Sequence, residues 1–327
     1  MNSFPKPVVV LSNCLEYETC RYNGAVIPDN FVRNLEPYVT YKMVCPEVGI
    51  DLGVPRDPVR IISEDGKKIL VQPSTNKDLT KKINSFSRKY VKSLGDEVDG
   101  FILKSGSPSC GIKNAKIYET KGKGSVVGKT NGFFTNIVLS KLSGLAIEDE
   151  GRLKNFNIRD HFLTKLFTLA RFRHIKKRKS IKDLIEFHST HKLLFMSYNQ
   201  NKMREIGKII GSYNKKNLNN IINSYQSSLF DCLTKMPRKT SFINSLMHCL
   251  GYFSNNLKSR EKSFFLEQLQ SYRNNKIPVS ALLIVLRAWS IKYEQEYLLK
   301  QVFFEPYPPD LMNVSDSGKG RSLINRR

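Results

Sequence analysis

The spacing of hydrophobic and polar positions changes partway along this chain. In the first 150 residues, short apolar runs alternate with amphipathic stretches. Val8–Leu11 is a β-branched run after Pro7, and it ends at Ser12-Asn13-Cys14. Tyr38–Val44 is a second run, ending at Cys45-Pro46, and Val98–Leu103 is a third, emptying into Ser105-Gly106-Ser107-Pro108-Ser109-Cys110. Runs this short and this rich in β-branched and aromatic residues predict buried strands. Between the second and third, Leu79, Ile83, Phe86, Tyr90 and Leu94 fall on one helical face. That spacing predicts a helix capped by Thr75 or Asn76 and closed by Gly95. Val59–Val71 predicts a strand pair turning at Glu64-Asp65-Gly66. Gly122–Gly132 lacks both the dinucleotide fingerprint and the P-loop pattern, so it reads as a flexible turn before a helix at Phe133–Leu142. Strands alternating with helices predict an α/β N-terminal domain, Rossmann-like, with a mostly parallel sheet.

From about Arg159 the period becomes helical. Asp160–Arg173 is apolar at Phe162, Leu163, Leu166, Phe167 and Leu169. A basic run, Arg171–Lys179, follows and reads as the domain junction. Further helices are expected near Ile181–Tyr198, Met203–Ser212, Leu218–Thr234, Ser241–Phe253, Arg260–Asn274 and Val279–Gln301. Turn signals separate them at Asn214-Lys215, Pro237, Asn255-Asn256 and Pro278. Val302–Met312 is Pro-rich and expected to be extended, and Asn313–Arg327 reads as a basic disordered tail. The expected organisation is therefore an α/β domain over 1–172, an all-α C-terminal domain over 180–312, and a tail over 313–327.

Charge sharpens this division. The 327 residues carry a net charge of +24. Residues 1–150 hold 21 Lys+Arg against 17 Asp+Glu, a net +4, whereas residues 151–327 hold 32 against 12, a net +20. Such asymmetry points to a polyanion met by the second half. Drift toward Lys and Asn in an AT-rich genome is the competing explanation. Composition is otherwise that of a globular protein, 40% hydrophobic and 25% charged. No low-charge apolar run reaches the length of a membrane span, and the N-terminus lacks the charged and apolar regions of a signal peptide. A cytoplasmic protein with no membrane partner is expected. Six cysteines are too sparse for a secreted disulfide scaffold, so reduced thiols, a metal site or catalysis fit better.

Cys14, Cys45 and Cys110 each follow the C-terminal end of an expected buried strand. Ligands of open parallel sheets bind in the crevice beyond those ends. Three thiolates suit a soft metal centre and leave one position open, whereas four would close a structural zinc or an electron-transfer cluster. The alternative is that they are small apolar core residues. Cys20, six residues after Cys14, is within reach of such a centre or a bystander. Cys232 and Cys249 fall in apolar helical patterns and are expected in the core.

The motifs carry a resemblance. Ser12-Asn13-Cys14-Leu15 with Arg21-Tyr22-Asn23-Gly24, then Cys45-Pro46-Glu47-Val48 with Gly53-Val54-Pro55-Arg56, then Leu103–Gly111, and finally Glu148–Leu153 resemble, in order and spacing, the motifs of the thiouracil desulfidase (TudS) family. This likeness covers about residues 7–170. Pro237-Arg238-Lys239, Tyr272-Arg273, Ile277-Pro278-Val279 and Pro306-Tyr307-Pro308 resemble the helical YbgA-type domain, which is fused to the desulfidase domain in tRNA 4-thiouridine desulfidases. The chain departs from the family pattern at Tyr17, where Gly is usual, at Cys20, where Val is usual, and at Asn23, where Asp is usual.

The resemblance implies a 4Fe-4S cluster held by Cys14, Cys45 and Cys110, with one open iron. That iron would take the sulfur of a thiolated base, and water would replace the sulfur without net electron transfer, a non-redox C–S hydrolysis. Glu47, two residues after a ligand, is the candidate general acid/base, or else a surface or N-cap glutamate. Ser107 is a second candidate, or else a turn-stabilising serine before proline. Arg21, Tyr22 and Arg56 are candidates for nucleotide contact, with a salt bridge as the alternative for Arg56. His188 and His191, at i and i+3, have no carboxylate partner in their motif, so a metal site there has weak support.

In the basic half, Lys176, Lys177, Arg178 and Lys179, Lys215-Lys216, and Arg238 and Lys239 form clusters in or beside loops. Aromatics such as Phe172, Tyr198, Tyr213 and Tyr252 lie near them. Such lysines and arginines can track RNA phosphates without reading bases, or can form a solvated helix face. The expected activity is sulfur removal from thiouracil-type bases, foremost 4-thiouridine in tRNA. A desulfidase of free thiouracil or thionucleotides and a non-enzymatic RNA-binding protein with a structural metal are the alternatives.

Overall fold

The computed structural model describes residues 4–122, 124–214 and 217–312. The expected tail over 313–327 and the Lys215-Lys216 pair lie outside the described residues. In chain order the first part contains β1 (Val8–Ser12), α1 (Asn30–Leu35), β2 (Thr40–Val44), β3 (Arg60–Glu64), β4 (Lys67–Gln72), β5 (Lys77–Asp78) and α2 (Thr80–Ser93). Next come β6 (Gly100–Leu103), β7 (Ala115–Tyr118), β8 (Val126–Thr130), α3 (Phe133–Leu142), β9 (Ala146–Asp149) and α4 (Phe156–Arg178).

The first sheet has the order β2-β1-β6-β9 and is parallel throughout. Side chains alternate across it. Val9, Leu11 and Ile102 pack with Val32 and Leu35 of α1 and Leu163, Leu166 and Phe167 of α4. Val10, Phe101 and Leu103 face the other way, onto Val91 of α2, its C-cap Leu94, and Phe134 and Val138 of α3. Helices on both faces explain why β1 and β6 are apolar on consecutive positions. Asp99 fastens one end of the layer. It accepts from the Val8 amide at 2.8 Å and pairs with Arg173 Nη2 at 2.9 Å.

A second, five-stranded sheet, β5-β4-β3-β7-β8, mixes parallel and antiparallel pairs. Its hairpin turns at Asp65-Gly66, both at positive φ, the geometry of a two-residue hairpin. Two expectations change here. The Gly122–Gly132 turn contains a strand, β8, because Val126 and Gly128–Thr130 pair with β7, with a register shift at Val127. The helix expected from Thr75 or Asn76 begins at Thr80. Lys77–Asp78 is held as an edge strand on β4, and Asp78 Oδ1 then accepts from the Thr80 amide at 2.8 Å.

The chain divides into two compact units. Among the described residues, one comprises those of 4–173 and 307–312, the other those of 174–306. The division falls inside α4, so the basic run placed at the junction is helical through Arg178. The second unit contains α5 (Ile181–Gly211), α6 (Leu218–Cys232), α7 (Lys239–Gly251), α8 (Ser259–Arg273), α9 (Val279–Lys292) and α10 (Glu296–Leu299). The two expected helices over 181–212 are one element bent at Asn199, where φ is −160° and ψ 103°. Phe195, Tyr225, Leu229, Leu246, Phe253, Phe265 and Leu286 form its fully buried centre. The segment expected to be extended forms two 3-10 turns, Val302–Phe304 and Pro309–Leu311. Its first turn is buried in the helical unit. Tyr307 and Leu311 instead join the core of the first unit, where the Tyr307 hydroxyl meets Asp160 Oδ1 at 2.5 Å. Among the described residues no helix is long and apolar enough to cross a membrane.

Candidate metal centre

Strands β2, β1 and β6 are neighbours, so the three loops at their carboxyl ends emerge side by side. Each loop carries one of the predicted cysteines, and each is shaped by its own local contacts.

After β1, the Asn13 amide donates to Val44 O at 3.0 Å and Ile27 N donates to Cys14 O at 2.9 Å, tying the loop to β2 and to its own return. Glu16, at φ 68°, turns the chain back. Its carboxylate accepts from the Asp29 amide and from Arg33 Nη2. Cys14 is half-buried.

After β2, Cys45-Pro46-Glu47 leads into a 3-10 turn, with Gly49 N donating to Cys45 O at 2.9 Å. Gly49 rests on Phe86 of α2; a Cβ there would lie 2.3 Å from its ring. Only glycine allows that approach. The turn aims Glu47 back across the crevice. Its Oε2 receives two N–H groups of Arg56, Nη2 at 2.6 Å and Nε at 3.1 Å, and its Oε1 receives Ser109 Oγ at 2.9 Å. Arg56 is 4% exposed and Glu47 12%. Arg56 also donates to the carbonyl of Cys20 at 2.9 Å. Of the two readings of Arg56, the structure gives the salt bridge.

After β6, the Ser105 amide donates to Glu150 Oε2 at 2.7 Å, and Lys104 pairs with the same carboxylate. Ser107 Oγ accepts from the amides of Ser109 and Cys110, both at 3.1 Å. That is the turn-stabilising role. Ser12 Oγ accepts from the Lys104 amide at 2.9 Å. Gly132 N donates to Gly111 O at 2.8 Å, and a Cβ on Gly132 would fall 2.3 Å from the Ser109 carbonyl.

The loops that carry Cys14, Cys45 and Cys110 open onto this crevice. Cys45 Sγ lies 3.8 Å from the carbonyl oxygen of Cys20. Cys110 is close enough to Cys45 and Glu47 to feel their charge. Burial pushes the Cys110 thiol up to about 12. Contact with Cys14 raises Cys20 to about 11, and contact with Cys20 together with burial raises Cys45 well above the ordinary thiol range. A metal reverses this preference, because its charge stabilises thiolates and their protons leave on binding. Among the described residues no group of three or more His, Cys, Asp or Glu is arranged around a single ion. An iron–sulfur cubane is larger than one ion and is held by thiolates spread around it. The donor set is sulfur from three loops, and the Glu47 carboxylate is tied to Arg56, which fits such a cluster.

Four contributors lay within segments quoted from the sequence but were not nominated there: Ser109, Ser12, Glu150 and Gly132. The nominated Ser107 and the unnominated Ser109 are two residues apart, and only the fold shows that Ser109 faces Glu47. Asn13 Oδ1 is buried with no hydrogen-bond partner among the described residues. Arg21 lies over the exposed ring of Tyr22 at 5.5 Å.

In the helical unit, Lys177, Arg178, Lys179 and Arg238 are exposed. Arg178 contacts Asp183 at 3.4 Å. Lys176 is tied to Gln226 at 2.9 Å, and Lys239 sits 5.0 Å over the Tyr272 ring while donating to the Tyr272 carbonyl at 3.1 Å. Phe172 and Tyr198 are buried in packing, so neither offers a ring for stacking on a base. His191 Nδ1 lies 2.7 Å from Phe187 O, and His188 Nδ1 lies 3.3 Å from Tyr225 Oη. Among the described residues, neither histidine belongs to a group of three or more potential metal ligands. Cys232 and Cys249 are buried, as expected of core residues.

Residues 9–150 match the family described as 2-thiouracil desulfurase, and residues 192–308 match DUF1722, a family described only as a protein of unknown function. Escherichia coli (strain K12) YbgA is 27% identical over 161 residues, covering 49% of this chain and 95% of its own length. Bacillus subtilis (strain 168) YbbK is 28% identical over 156 residues, covering 45% of this chain and 99% of its own. Among solved structures, a 4Fe-4S-dependent thiouracil desulfidase, TudS, is 25% identical with a TM-score of 0.38, covering 45% of this chain and 93% of that one.

Proposed function

Because the chain joins a TudS-type 2-thiouracil desulfurase domain to a YbgA-type helical domain, we propose that it removes sulfur from thiolated uracil, with 4-thiouridine in tRNA as its substrate. The observation that carries this reading is the convergence of the Cys14, Cys45 and Cys110 loops at the carboxyl ends of three adjacent parallel strands, inside the matched residues. Cys14, Cys45 and Cys110 would hold a 4Fe-4S cluster by three of its irons. When bound, that cluster would supply a Lewis-acidic iron with affinity for sulfur.

The protein's own residues then have separate tasks. Glu47 is the general base. Arg56 fixes Oε2, so Oε1, which faces Ser109, is the atom that takes the proton of the attacking water. Ser107 holds the Cys110 amide and Ser12 the Lys104 amide, and so they fix the loop that presents the Cys110 sulfur. Asn13 Oδ1, without a donor of its own, is suited to a ring N–H of the base. Overall the carbon–sulfur bond breaks, a carbon–oxygen bond forms from water, and sulfur departs as sulfide, with no net electron transfer. Lys177, Arg178, Lys179 and Arg238, with Lys176 and Lys239 beside them, contact tRNA phosphates. The net +20 of residues 151–327 supports that assignment.

The test is anaerobic purification of the full chain, measurement of iron and acid-labile sulfide, and incubation with thiolated tRNA and with 2-thiouracil. Loss of the near-ultraviolet absorbance of 4-thiouridine with matching sulfide release is expected. A fully loaded cluster that leaves both substrates intact overturns the proposal. Turnover of 2-thiouracil alone would leave the desulfidase and remove the tRNA.

A further inference from the structure

The second sheet carries a row of cations that the chemistry of the crevice does not use. Ala115 and Ile117 of β7 pack inward with Ile61 of β3. Side chains alternate along a strand, so Lys116 and Arg60 stand on the opposite face. Both precede the Ile61–Ile117 pair by one position, and Lys116 is registered directly against Lys129 of β8. Arg60, Lys116 and Lys129 therefore lie side by side on three adjacent strands, about 4.8 Å apart from strand to strand. Lys116 and Lys129 are exposed. Arg60 is held in place, its guanidinium 4.7 Å over the Tyr118 ring and its Nη1 donating to Gly122 O at 2.6 Å. Like charges directly opposite each other destabilise a sheet. Among the described residues none of the three forms an ion pair. Asp78, at the β5 end of the same row, accepts instead from the Thr80 amide.

The row lies beside the crevice. Gly132, three residues after Lys129, donates to Gly111 O and rests on the Ser109 carbonyl. Three residues span at most about 11 Å. Lys113, exposed between Cys110 and Lys116, has its amide held by Asn131 Oδ1 at 2.8 Å and continues the positive charge toward the crevice. We propose that this row is an RNA-backbone contact surface, on which Arg60, Lys116 and Lys129 hold the phosphates flanking the nucleotide whose base enters the crevice. This rests on the tRNA reading above. A phosphodiester chain supplies the negative charge that the row lacks within the protein, and such contacts fix position without reading sequence.

The test compares the full reconstituted chain with the double variant Lys116→Ser, Lys129→Ser. A second double variant, Lys82→Ser with Lys89→Ser on α2, removes the same charge elsewhere. Filter binding of tRNA over a salt series and turnover of thiolated tRNA and of free 2-thiouracil are measured. The sheet variant is expected to show a slope of log affinity against log salt shallower by about two contacts. Its ratio of kcat/KM on thiolated tRNA to kcat/KM on 2-thiouracil should fall several-fold, and the α2 variant should match wild type. In an arm that needs no variant, tRNA should protect Lys116 and Lys129 of wild type from acetylation, read by mass spectrometry. An equal loss in the α2 variant overturns the proposal, because net charge alone would then be responsible. An unchanged slope and ratio, or equal acetylation with and without tRNA, also overturns it, and the row then only blunts the sheet edge. Wild type that processes 2-thiouracil but neither binds nor processes tRNA overturns the tRNA reading, and this inference with it.

Discussion

Glu47 is held from both ends, Oε2 by Arg56 and Oε1 by Ser109. That arrangement separates two effects at the level of single residues. Glu47→Gln preserves size and one acceptor oxygen but leaves the buried Arg56 without its counter-charge. Breaking a buried pair by removing one partner typically costs about 3–5 kcal/mol. Loss of a positioned base lowers rate by about 10²–10⁴-fold. The variant is therefore expected to bind iron as the wild type does, to melt earlier, and to turn over at least about a hundredfold more slowly. Iron content, thermal denaturation and sulfide release measure the three. Ser109→Ala removes only one hydrogen bond to that carboxylate. A loss of roughly 1.5–3 kcal/mol is expected there, in stability or in the barrier, with the ion pair intact. If Ser109→Ala matched Glu47→Gln in turnover, the acidic oxygen would not be the proton acceptor.

Loops take their shape from elements far away in sequence, and this is where reading the chain in one dimension fell short. The three strands and their cysteines were legible because buried parallel strands are short apolar runs with abrupt polar ends. The helix at Phe133–Leu142 was legible with its observed bounds. Gly132 was not, because its role is a backbone approach to Ser109 that no periodicity records. Gly132→Ala must push the Cys110 loop aside. Overpacking of this kind typically costs about 1–3 kcal/mol, so a lower melting temperature and reduced iron content are expected. Gly128→Ala is the control, since its Cβ would meet Ile117 at an ordinary 3.7 Å. In the helical unit, α5 and α6 share His188, which burial pushes down to about 4 from 6.5. The unfolded chain takes up that proton first. Stability present above pH 6.5 is therefore lost as pH falls from 6.5 toward 4, by at most about 3 kcal/mol. His188→Asn should flatten this part of the stability–pH curve, as followed by helical circular dichroism during denaturant titration at each pH.

Across the whole molecule, charge and chemistry fall in different halves, and the C-terminal segment complicates any attempt to separate them by truncation. Tyr307 and Leu311 are buried in the core of the first unit. A chain cut after residue 173 would lose those contacts and open that core, confusing folding with substrate choice. The sequence pattern could not place this segment, because a Pro-rich stretch carries no period to match against a distant core. Substitutions on the intact chain avoid the difficulty. Lys177, Arg178 and Lys179 are exposed, and changing all three to Ser leaves the crevice of Cys14, Cys45, Cys110 and Glu47 untouched. Each lost phosphate contact reduces the slope of log affinity against log salt by about one. The triple variant is expected to bind tRNA more weakly at moderate salt, with a slope shallower by two to three such contacts, and to process free 2-thiouracil at the wild-type rate. Filter binding over a salt series and a sulfide assay measure the two quantities. An unchanged slope would show that these side chains form a solvated helix face, and the polyanion would then have to be met elsewhere on the +20 half.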